Sequence, residues 1–276
     1  MKKHKSITSG VPRPLIMVTN DDGIYSTGIY TAVRAAAEYG DVLVAAPAAQ
    51  QTAMGRAYPR TTDLGIILET DLGLGSDVKS YVVHGSPGYC AAFGILELAD
   101  RKPDLVISGI NYGCNLGMSL TSSGTLGAAF EAYSQGIPVL ALSLETPVEA
   151  IMKKELKEAD FAYAKEITKF WIKKMLDQSG SGTIMESPYR FLNINIPSGH
   201  VDPGDYQMTF LEHQNYYVLK SPGKRDRSAP YTLGFEIDVN MDTLHEGSDI
   251  CVVCRDRRTS VTPVTMDMTR NQYSRF

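Results

Sequence analysis

The chain has 276 residues, of which 43% are apolar and 21% are charged, and its formal net charge is −4. A chain of this length and composition can bury a sizeable core and does not belong to a disordered class. Its negative charge argues against a long nucleic acid as a partner. No run of eighteen apolar residues predicts a membrane span, and no apolar segment follows the basic first residues, so we expect a cytoplasmic protein without a secretory signal.

Strand and helix patterns alternate along the first half of the chain. An apolar strand over residues 15–19 is followed by a helix over 28–39, and a second apolar strand, 42–46, ends at Pro47. Further strands are predicted at 81–83, 105–107 and 139–142, with helices between them. This alternation predicts an α/β fold with a doubly wound, mostly parallel sheet in three layers, similar to a Rossmann fold.

A long amphipathic helix is predicted after the last of these strands. Its apolar residues recur at intervals of three and four, and we expect this stripe to belong to the core. The residues of the stripe are Leu156, Ala159, Tyr163, Ile167 and Phe170.

The pattern changes from about residue 205. Segments 206–211, 216–219 and 231–239 alternate like the strands of a long hairpin, with a turn rich in Pro, Gly and charged residues at 221–227. This part is too short to bury a core of its own. We therefore divide the chain into a flexible tail (residues 1–13), an α/β catalytic core (14–205), and a β extension (206–276) with a hairpin and a C-terminal segment for oligomerisation.

Four cysteines in a chain of this length are typical of reduced thiols. Cys251 and Cys254 form one CxxC pair, but the sequence has neither a second pair nor a nearby histidine at zinc spacing. We therefore expect no structural zinc.

Two adjacent aspartates follow the first strand. Successive side chains of a strand point to opposite faces, so Asp21 and Asp22 can reach one ion only where the backbone turns, and Gly23 permits that turn. Ligands bind at this end of the strands in open parallel sheets. The pair predicts a metal site, although Asn20 and the aspartates could instead form a polar turn that caps the next helix. A HAD-type phosphatase is disfavoured, because its aspartates are two residues apart.

Three more polar clusters follow strand ends or precede a helix. They are Thr52; Asn111 and Asn115; and Ser123, Gly124 and Thr125. The last cluster precedes a helix at 126–133, whose free N–H groups and dipole favour an anion, although ordinary N-capping would also explain it. Because carboxylates, amides, hydroxyls and a helix N-terminus meet at one edge of the sheet, we expect a site for a metal ion and a phosphate.

Other catalytic patterns are missing from the sequence. The first strand leads into Asn-Asp-Asp-Gly rather than G-x-G-x-x-G, which argues against a dinucleotide-binding oxidoreductase. The chain also lacks G-x-S-x-G, H-E-x-x-H and a Walker A loop. The available oxygen donors favour Mg²⁺ or Mn²⁺.

Eight short motifs resemble those of the SurE (survival protein E) family, metal-dependent 5′-nucleotidases, in the family's order. They are VTNDDGI at 18–24, AAP with a following hydroxyl at 45–52, HGSPGYC at 84–90, SGINYGCNLG at 108–117, SGTLGAA at 123–129, LNINIP at 192–197, YTLG at 231–234 and SVTP at 260–263. Together they are far more specific than any single motif. The resemblance implies hydrolysis of nucleoside 5′-monophosphates with one Mg²⁺ or Mn²⁺ per subunit.

The resemblance also implies a role for each site residue. The implied metal ligands are Asp21, Asp22, Thr52 and Asn111, and the implied phosphate contacts are Asn115, Ser123, Gly124 and Thr125. Asp21 would act as general base toward the water that attacks phosphorus, while Asn115 and the helix N-terminus would stabilise the developing charge. The predicted catalytic residues are thus Asp21, Asp22 and Asn115.

The match has departures. Thr52 replaces the usual serine and adds a methyl group, Tyr89 stands where the family has an acidic residue, and residues 209–216 lack the family's arginines. A catalytically weakened nucleotide- or phosphate-binding homologue is therefore the alternative function. The resemblance further implies a homodimer or homotetramer, joined through the hairpin and an exchanged C-terminal segment.

Overall fold

The structure is a computed structural model that describes residues 12–147, 150, 156–180, 188–200 and 202–267. Residues 1–11 of the predicted tail and residues 268–276 of the predicted C-terminal segment lie outside the described residues. At the end of the predicted tail, Arg13 donates to the Asp41 carboxylate at 3.2 Å and to the Ala37 carbonyl oxygen at 3.2 Å. The last residue of the predicted tail is therefore attached to the domain.

A nine-stranded, mostly parallel sheet forms the centre of the described structure. The strands in chain order are β1 (Leu15–Thr19), β2 (Asp41–Pro47), β3 (Ile67–Thr70), β4 (Val78–Val83), β5 (Leu105–Tyr112), β6 (Val139–Leu144), β7 (Phe191–Ile196), β8 (Tyr206–Met208), β9 (Tyr217–Leu219), β10 (Phe235–Ile237) and β11 (Thr259–Pro263). Across the sheet the order is β3-β4-β2-β1-β5-β6-β7-β11-β8, and β9 pairs with β10 in a separate hairpin. The pairs from β4 to β7 are parallel, whereas β3 and β11 run antiparallel to β4 and β7.

Helices cover both faces of the sheet. The longer ones are α1 (Thr27–Ala37), α2 (Pro87–Phe93), α3 (Gly124–Ser134) and α4 (Ala162–Gly180). Shorter helical turns span Gly94–Leu98, Met118–Ser122, Glu158–Phe161, Pro188–Arg190, Met241–Thr243 and Cys251–Arg255. Side chains alternate along β1, so Ile16 and Val18 pack with α1 and α4, whereas Met17 packs with α2 and α3. The predicted doubly wound, three-layer α/β fold with a C-terminal hairpin is confirmed.

The strand order reverses at β1. The chain runs from β1 outward through β2 and β4, and then returns to place β5 and β6 on the other side of β1. Loops that leave the carboxyl ends of β1 and β5 diverge at this point and open a crevice between them. The aspartates and the predicted amide loop follow these two strands, so the topology brings them together.

Several strands differ from the sequence prediction, and β7 and β11 lie where no strand is predicted. β3 lies in the polar region 50–80, where no strand is predicted, because it is a mostly exposed edge strand without a clear apolar alternation. β5 continues to Tyr112 rather than ending at residue 107. The prediction that 206–211 belongs to the hairpin is wrong, since β8 pairs with β11 in the main sheet. Alternation identifies a strand but not its partner, so the main sheet extends past the predicted boundary at residue 205.

The predicted amphipathic helix begins later than its apolar pattern indicates. α4 starts at Ala162, after the turn Glu158–Phe161, and of the five predicted stripe residues only Ile167 is fully buried. The residues of this segment that are buried are Phe161, Ala164, Ile167, Thr168, Trp171, Ile172 and Met175. Among the described residues, none of the helices has the length and apolar character that crossing a membrane requires. All four cysteines are free thiols.

Candidate metal and phosphate site

One cavity of about 400 Å³ lies at the carboxyl ends of β1 and β5. Six of the eight predicted site residues line it, namely Asp21, Asp22, Thr52, Asn111, Asn115 and Ser123. The remaining two, Gly124 and Thr125, contact Asp21 from the first turn of α3. The structure therefore brings all the predicted residues to one place.

The turn after β1 is built by Asn20 rather than by the two aspartates. The Asn20 side chain accepts from Gly23 N at 3.2 Å and donates to Gly23 O at 3.1 Å, and Gly23 has a φ of +99°, which favours glycine. The cap of α1 is Ser26, whose hydroxyl accepts from Ile29 N. Since other residues supply both the turn and the cap, the carboxylates of Asp21 and Asp22 are left for the cavity.

Asp21 is held against the N-terminus of α3. Its Oδ1 accepts from the Thr125 hydroxyl at 2.6 Å, and the side chain is 4% exposed. A Cβ atom on Gly124 would stand 2.7 Å from Asp21 Cβ and 2.8 Å from Asp21 Oδ2. Only glycine therefore allows the carboxylate to approach this helix end so closely.

Asp22 is oriented by two donors that sequence reasoning missed. Tyr112 N donates to Asp22 Oδ2 at 3.0 Å, and the Gln50 side chain donates to Oδ1 at 3.3 Å. Gln50 belongs to the loop after β2, and Tyr112 is the last residue of β5. No local pattern predicts this pairing, because it joins three separate strand ends.

Asp21 is buried and Asp22 is half-buried, so their neighbouring carboxylates are costly to ionise together. Burial raises the pKa of the Asp21 carboxyl to about 6, and burial together with the negative charge of Asp21 raises the pKa of Asp22 well above its ordinary value. In the described part of the chain, no Lys, Arg or His forms an ion pair with either group. A cation between them would remove the repulsion and keep both ionised.

Asn111 and Thr52 complete a set of oxygen atoms. The pairing of β5 with β6 shifts register between Ser108 and Asn111, which re-aims the end of β5 toward the cavity. Asn111 Nδ2 donates to Gly113 O at 2.7 Å, so its Oδ1 is the amide atom left for a ligand. Thr52 is exposed and lines the cavity with its loop.

The donor set fits a hard divalent cation. Within the described residues, no group of three or more His, Cys, Asp or Glu side chains is arranged so that it could hold a metal ion. The candidate site instead combines two carboxylates with a neutral amide and a hydroxyl, all of them oxygen donors. Mg²⁺ and Mn²⁺ prefer such oxygens and commonly bind through only one or two carboxylates.

Asn115 is fixed by polar side chains from the next strands. Its Nδ2 donates to Ser143 Oγ at 2.8 Å, and its backbone N donates to Asn195 Oδ1 at 2.7 Å. Its carbonyl oxygen accepts from Asn193 Nδ2 at 2.9 Å and from Asn195 Nδ2 at 3.2 Å. We assigned no role to Asn193 or Asn195, although two amides at alternate positions of an otherwise apolar strand are a signal that could have identified them.

The N-terminus of α3 faces the same site. Ser123 caps the helix, because its hydroxyl accepts from Leu126 N at 3.2 Å. The capping alternative is therefore correct for the Ser123 side chain, but Gly124 N and Thr125 N belong to the first turn, where no intrahelical carbonyl can pair with them. The Thr125 hydroxyl is fully buried against Asp21, so a phosphate could meet Thr125 only at its backbone N–H.

The opposite wall of the cavity comes from the hairpin, which sequence reasoning did not connect with the site. Tyr217, Leu219 and Phe235 line it. Tyr89, in contrast, packs on Tyr58 and Phe93 and does not line this cavity. The departure from the family pattern at Tyr89 thus lies away from the candidate site.

Comparison with known proteins identifies the family. The model of the family described as "Survival protein SurE" matches residues 16–217. A 5′-nucleotidase SurE of Methanococcus maripaludis is 36% identical over 95% of this chain and 96% of its own length, and one of Methanocaldococcus jannaschii is 34% identical over 95% of both. A crystal structure of the SurE protein from Aquifex aeolicus matches with a TM-score of 0.70 at 26% identity, over 93% of this chain and 95% of the other. The chain belongs to the SurE family.

Proposed function

We propose that the protein is a metal-dependent phosphatase that hydrolyses nucleoside 5′-monophosphates to nucleoside and phosphate. One observation carries the proposal: the adjacent carboxylates of buried Asp21 and half-buried Asp22, which have no basic partner among the described residues, share a cavity with amide and hydroxyl oxygens beside a helix N-terminus. The relatives named 5′-nucleotidase support the same reaction and substrate class.

Asp21, Asp22, Thr52 and Asn111 would hold one Mg²⁺ or Mn²⁺ per subunit. When bound, such an ion polarises a phosphoryl oxygen and lowers the pKa of water. Asn115 and the first-turn N–H groups of α3 would hold the phosphoryl group and stabilise the charge that builds on its oxygens. Ser123 would keep that helix end in place through its cap.

Asp21 would act as the general base. Water would attack phosphorus directly and give its proton to Asp21, while the P–O5′ bond breaks and the departing 5′ oxygen takes up a proton, so that nucleoside and phosphate leave without a covalent intermediate. The hydrogen bond from Thr125 orients this carboxylate, and Gly124 allows it to lie close to the N–H groups that hold the phosphate.

Metal removal tests the proposal. Excess EDTA should abolish phosphate release from nucleoside monophosphates, and Mg²⁺ or Mn²⁺ should restore it, because the neighbouring carboxylates of Asp21 and Asp22 need a cation to remain ionised together. Phosphate release would be measured across a panel of nucleoside monophosphates. Full activity in excess chelator would refute the metal-dependent mechanism.

The alternative is a catalytically weakened nucleotide- or phosphate-binding homologue. Thr52 favours it, since its methyl group restricts the rotamers of a hydroxyl that lines the cavity. Calorimetric binding of a nucleoside monophosphate with Mn²⁺, combined with no phosphate release, would support this alternative over the enzyme. A Thr52→Ser variant that gains activity would locate the weakness at this side chain.

We also propose a homodimer at least, or a homotetramer, formed through the hairpin and the C-terminal residues. Beyond β9 and β10 the hairpin tip is exposed and includes Tyr231 and Leu233, and apolar side chains on an isolated hairpin favour a partner. Light scattering should give a dimer or tetramer for the full chain. Lys220 N donates to Gly234 O at 2.8 Å, so the residues between them can be replaced by a short turn. Light scattering on this hairpin-tip deletion tests whether the tip forms the interface.

A monomeric, fully active wild type would contradict the proposal. A dimer that is unchanged in the hairpin-tip deletion would mean that the interface lies in the C-terminal residues.

A further inference from the structure

The hairpin presents an apolar face to the candidate site. Phe235 stands opposite Leu219 and Ile237 opposite Tyr217, so these four side chains share one face of the two strands. Three of them, Tyr217, Leu219 and Phe235, line the cavity that contains the paired carboxylates. We call these three residues the apolar wall.

The other face of the hairpin is charged. Glu236 and Val218 stand opposite each other there, and Lys220 Nζ lies 2.6 Å from Glu236 Oε2 in an exposed ion pair. The hairpin is therefore amphipathic, with its polar face in solvent and its apolar face toward the cavity.

The root of the hairpin is attached to the loop that carries Asn115. Ser119 Oγ accepts from Tyr216 N and Tyr217 N, each at 3.0 Å, and Tyr216 is 3% exposed in a cluster with Cys114. The Tyr217 ring then meets the Phe235 ring edge-on, with centroids 5.5 Å apart. The apolar wall consequently has a defined place relative to the phosphate end of the cavity.

The apolar wall is open. Leu219 is 71% exposed and Phe235 is 39% exposed, although both line the cavity that contains the carboxylates of Asp21 and Asp22. A ligand pocket typically combines exposed apolar side chains with a few oriented polar groups, as this cavity does. A ligand that satisfies both ends must carry an anionic group and a flat or apolar group.

We propose that the apolar wall binds the base of the substrate nucleotide, with Phe235 as its principal contact. This inference rests on the proposed function, which sets the phosphate at Asn115 and the N-terminus of α3. The base is the part of a nucleoside monophosphate that can stack on a ring or cover an aliphatic side chain, and such stacking tolerates every base because each has a π face. A cavity of about 400 Å³ lies within the range of small-molecule sites.

A second cavity of about 350 Å³ offers a competing place for the base. It touches Asp22 from the other side and contains Tyr25, which is 63% exposed. Neither Asn115 nor Ser123 lines it, whereas both line the cavity with the apolar wall. Asn115, which is proposed to hold the phosphate, and Ser123, which caps the helix whose N-terminus is proposed to hold it, thus favour the hairpin side.

The test compares a nucleotide with a substrate that lacks the base. In the full chain with Mn²⁺, Phe235→Ala should lower kcat/KM for adenosine 5′-monophosphate about tenfold. It should change kcat/KM for ribose 5-phosphate less than twofold, and Phe235→Tyr should restore the nucleotide value. Ile237→Ala is the matched control, because Ile237 lies on the same strand and face at 45% exposure but does not line the cavity.

Several outcomes would overturn the inference. Equal losses for both substrates would mean that Phe235 does not contact the base, and a nucleotide-specific loss in Tyr25→Ala instead would place the base in the second cavity. Loss of an oligomer in both Phe235→Ala and Ile237→Ala, with parallel loss of both activities, would make the face a subunit interface.

Failure of the proposed function is recognisable separately, as absence of hydrolysis of either substrate by the wild type. In that case calorimetry with Mn²⁺ decides the inference. Tighter binding of adenosine 5′-monophosphate than of ribose 5-phosphate, abolished by Phe235→Ala, would support it, and equal binding would refute it.

Discussion

The two ends of the candidate cavity are built in opposite ways. We call the part of the cavity that contains Asp21, Asp22 and the N-terminus of α3 the oxygen end. There, Asp21 is 4% exposed, Thr125 is fully buried, and a hydrogen bond between the two orients the carboxylate. At the opposite, hairpin end of the cavity, Leu219 and Phe235 of the apolar wall are exposed to solvent. Each lies on a strand of only three residues. Groups that do chemistry need fixed positions, whereas an apolar contact surface tolerates replacement.

The difference has a consequence for mutations. Changes at the oxygen end should reduce turnover for every substrate, because they disturb groups that we propose to act on the phosphoryl centre. Changes at the hairpin end should alter substrate preference and affect stability little, because the side chains there are already exposed.

The largest effect is expected from the aspartates. Asp21→Asn should lower kcat by about 100-fold to 10,000-fold, as expected for a lost general base, and Asp22→Asn should weaken Mn²⁺ binding. Phosphate release and calorimetry measure the two effects. Asp100→Asn is the control, since its carboxylate is exposed and pairs with Lys79 on the surface. Wild-type turnover in Asp21→Asn would remove Asp21 from the general-base role.

A smaller but still large loss of turnover is expected from adding one methyl group at Gly124. Gly124→Ala would place Cβ 2.7 Å from Asp21 Cβ, so the carboxylate must shift, and a misplacement of this kind can reduce turnover about 100-fold. Gly88→Ala is the matched control in the first turn of α2, because its added Cβ meets nothing closer than 3.8 Å.

Activity with Mn²⁺ and the thermal midpoint would be measured for both glycine variants. We expect less than a twofold loss of activity in Gly88→Ala and similar midpoints in both. Normal activity in Gly124→Ala would contradict the idea that the oxygen end requires fixed positions.

The smallest effect concerns the root of the hairpin. Glu212 is 1% exposed, and it accepts from His245 N and His245 Nδ1 at 2.9 Å and from His213 N at 2.8 Å. Burial alone would raise its pKa, but these hydrogen bonds lower the pKa to about 2. A carboxyl whose pKa is lower in the folded state stabilises the fold above its ordinary value near 4.5.

That stabilisation should disappear as the pH falls from about 4.5 toward 2, so the free energy of unfolding should fall over this range. Glu212→Gln should flatten the fall and, at pH 7, lower stability by about 1 to 3 kcal/mol. Denaturant unfolding at several pH values measures both effects. Glu236→Gln serves as the control, because that carboxylate is half exposed. If the pH dependence of the free energy of unfolding were the same in Glu212→Gln as in the wild type, the Glu212 carboxylate would not stabilise the segments next to the hairpin.

The sequence predicted the oxygen end well because its signals are local. A strand that ends in Asp21, Asp22 and Gly23 requires a turn, and a Ser-Gly-Thr segment before a small apolar helix defines an N-terminus. Both features depend on neighbours within a few residues, and the structure has both. The alternation of strands and helices likewise established the doubly wound sheet before any contact was known.

The supporting residues could not be predicted in this way. Asn195 meets Asn115 across 80 residues, and Gln50 meets Asp22 across 28, so no window of sequence contains either pair. The local sequence does not distinguish Asn195 or Gln50 from other amide residues in strands and loops, because their contacts depend on the order of the strands in the sheet.

The sequence by itself predicted the fold class, because turn, capping and periodicity rules act over short distances, and the resemblance of its motifs indicated the family and the roles proposed for the eight candidate site residues. The tertiary structure decided that β8 joins β11 in the main sheet and that the hairpin faces the carboxylates. The physical reason is that alternation fixes which side chains share a face of a strand but not which strand lies beside it. Only packing chooses that neighbour, and with it the apolar wall that faces the carboxylates.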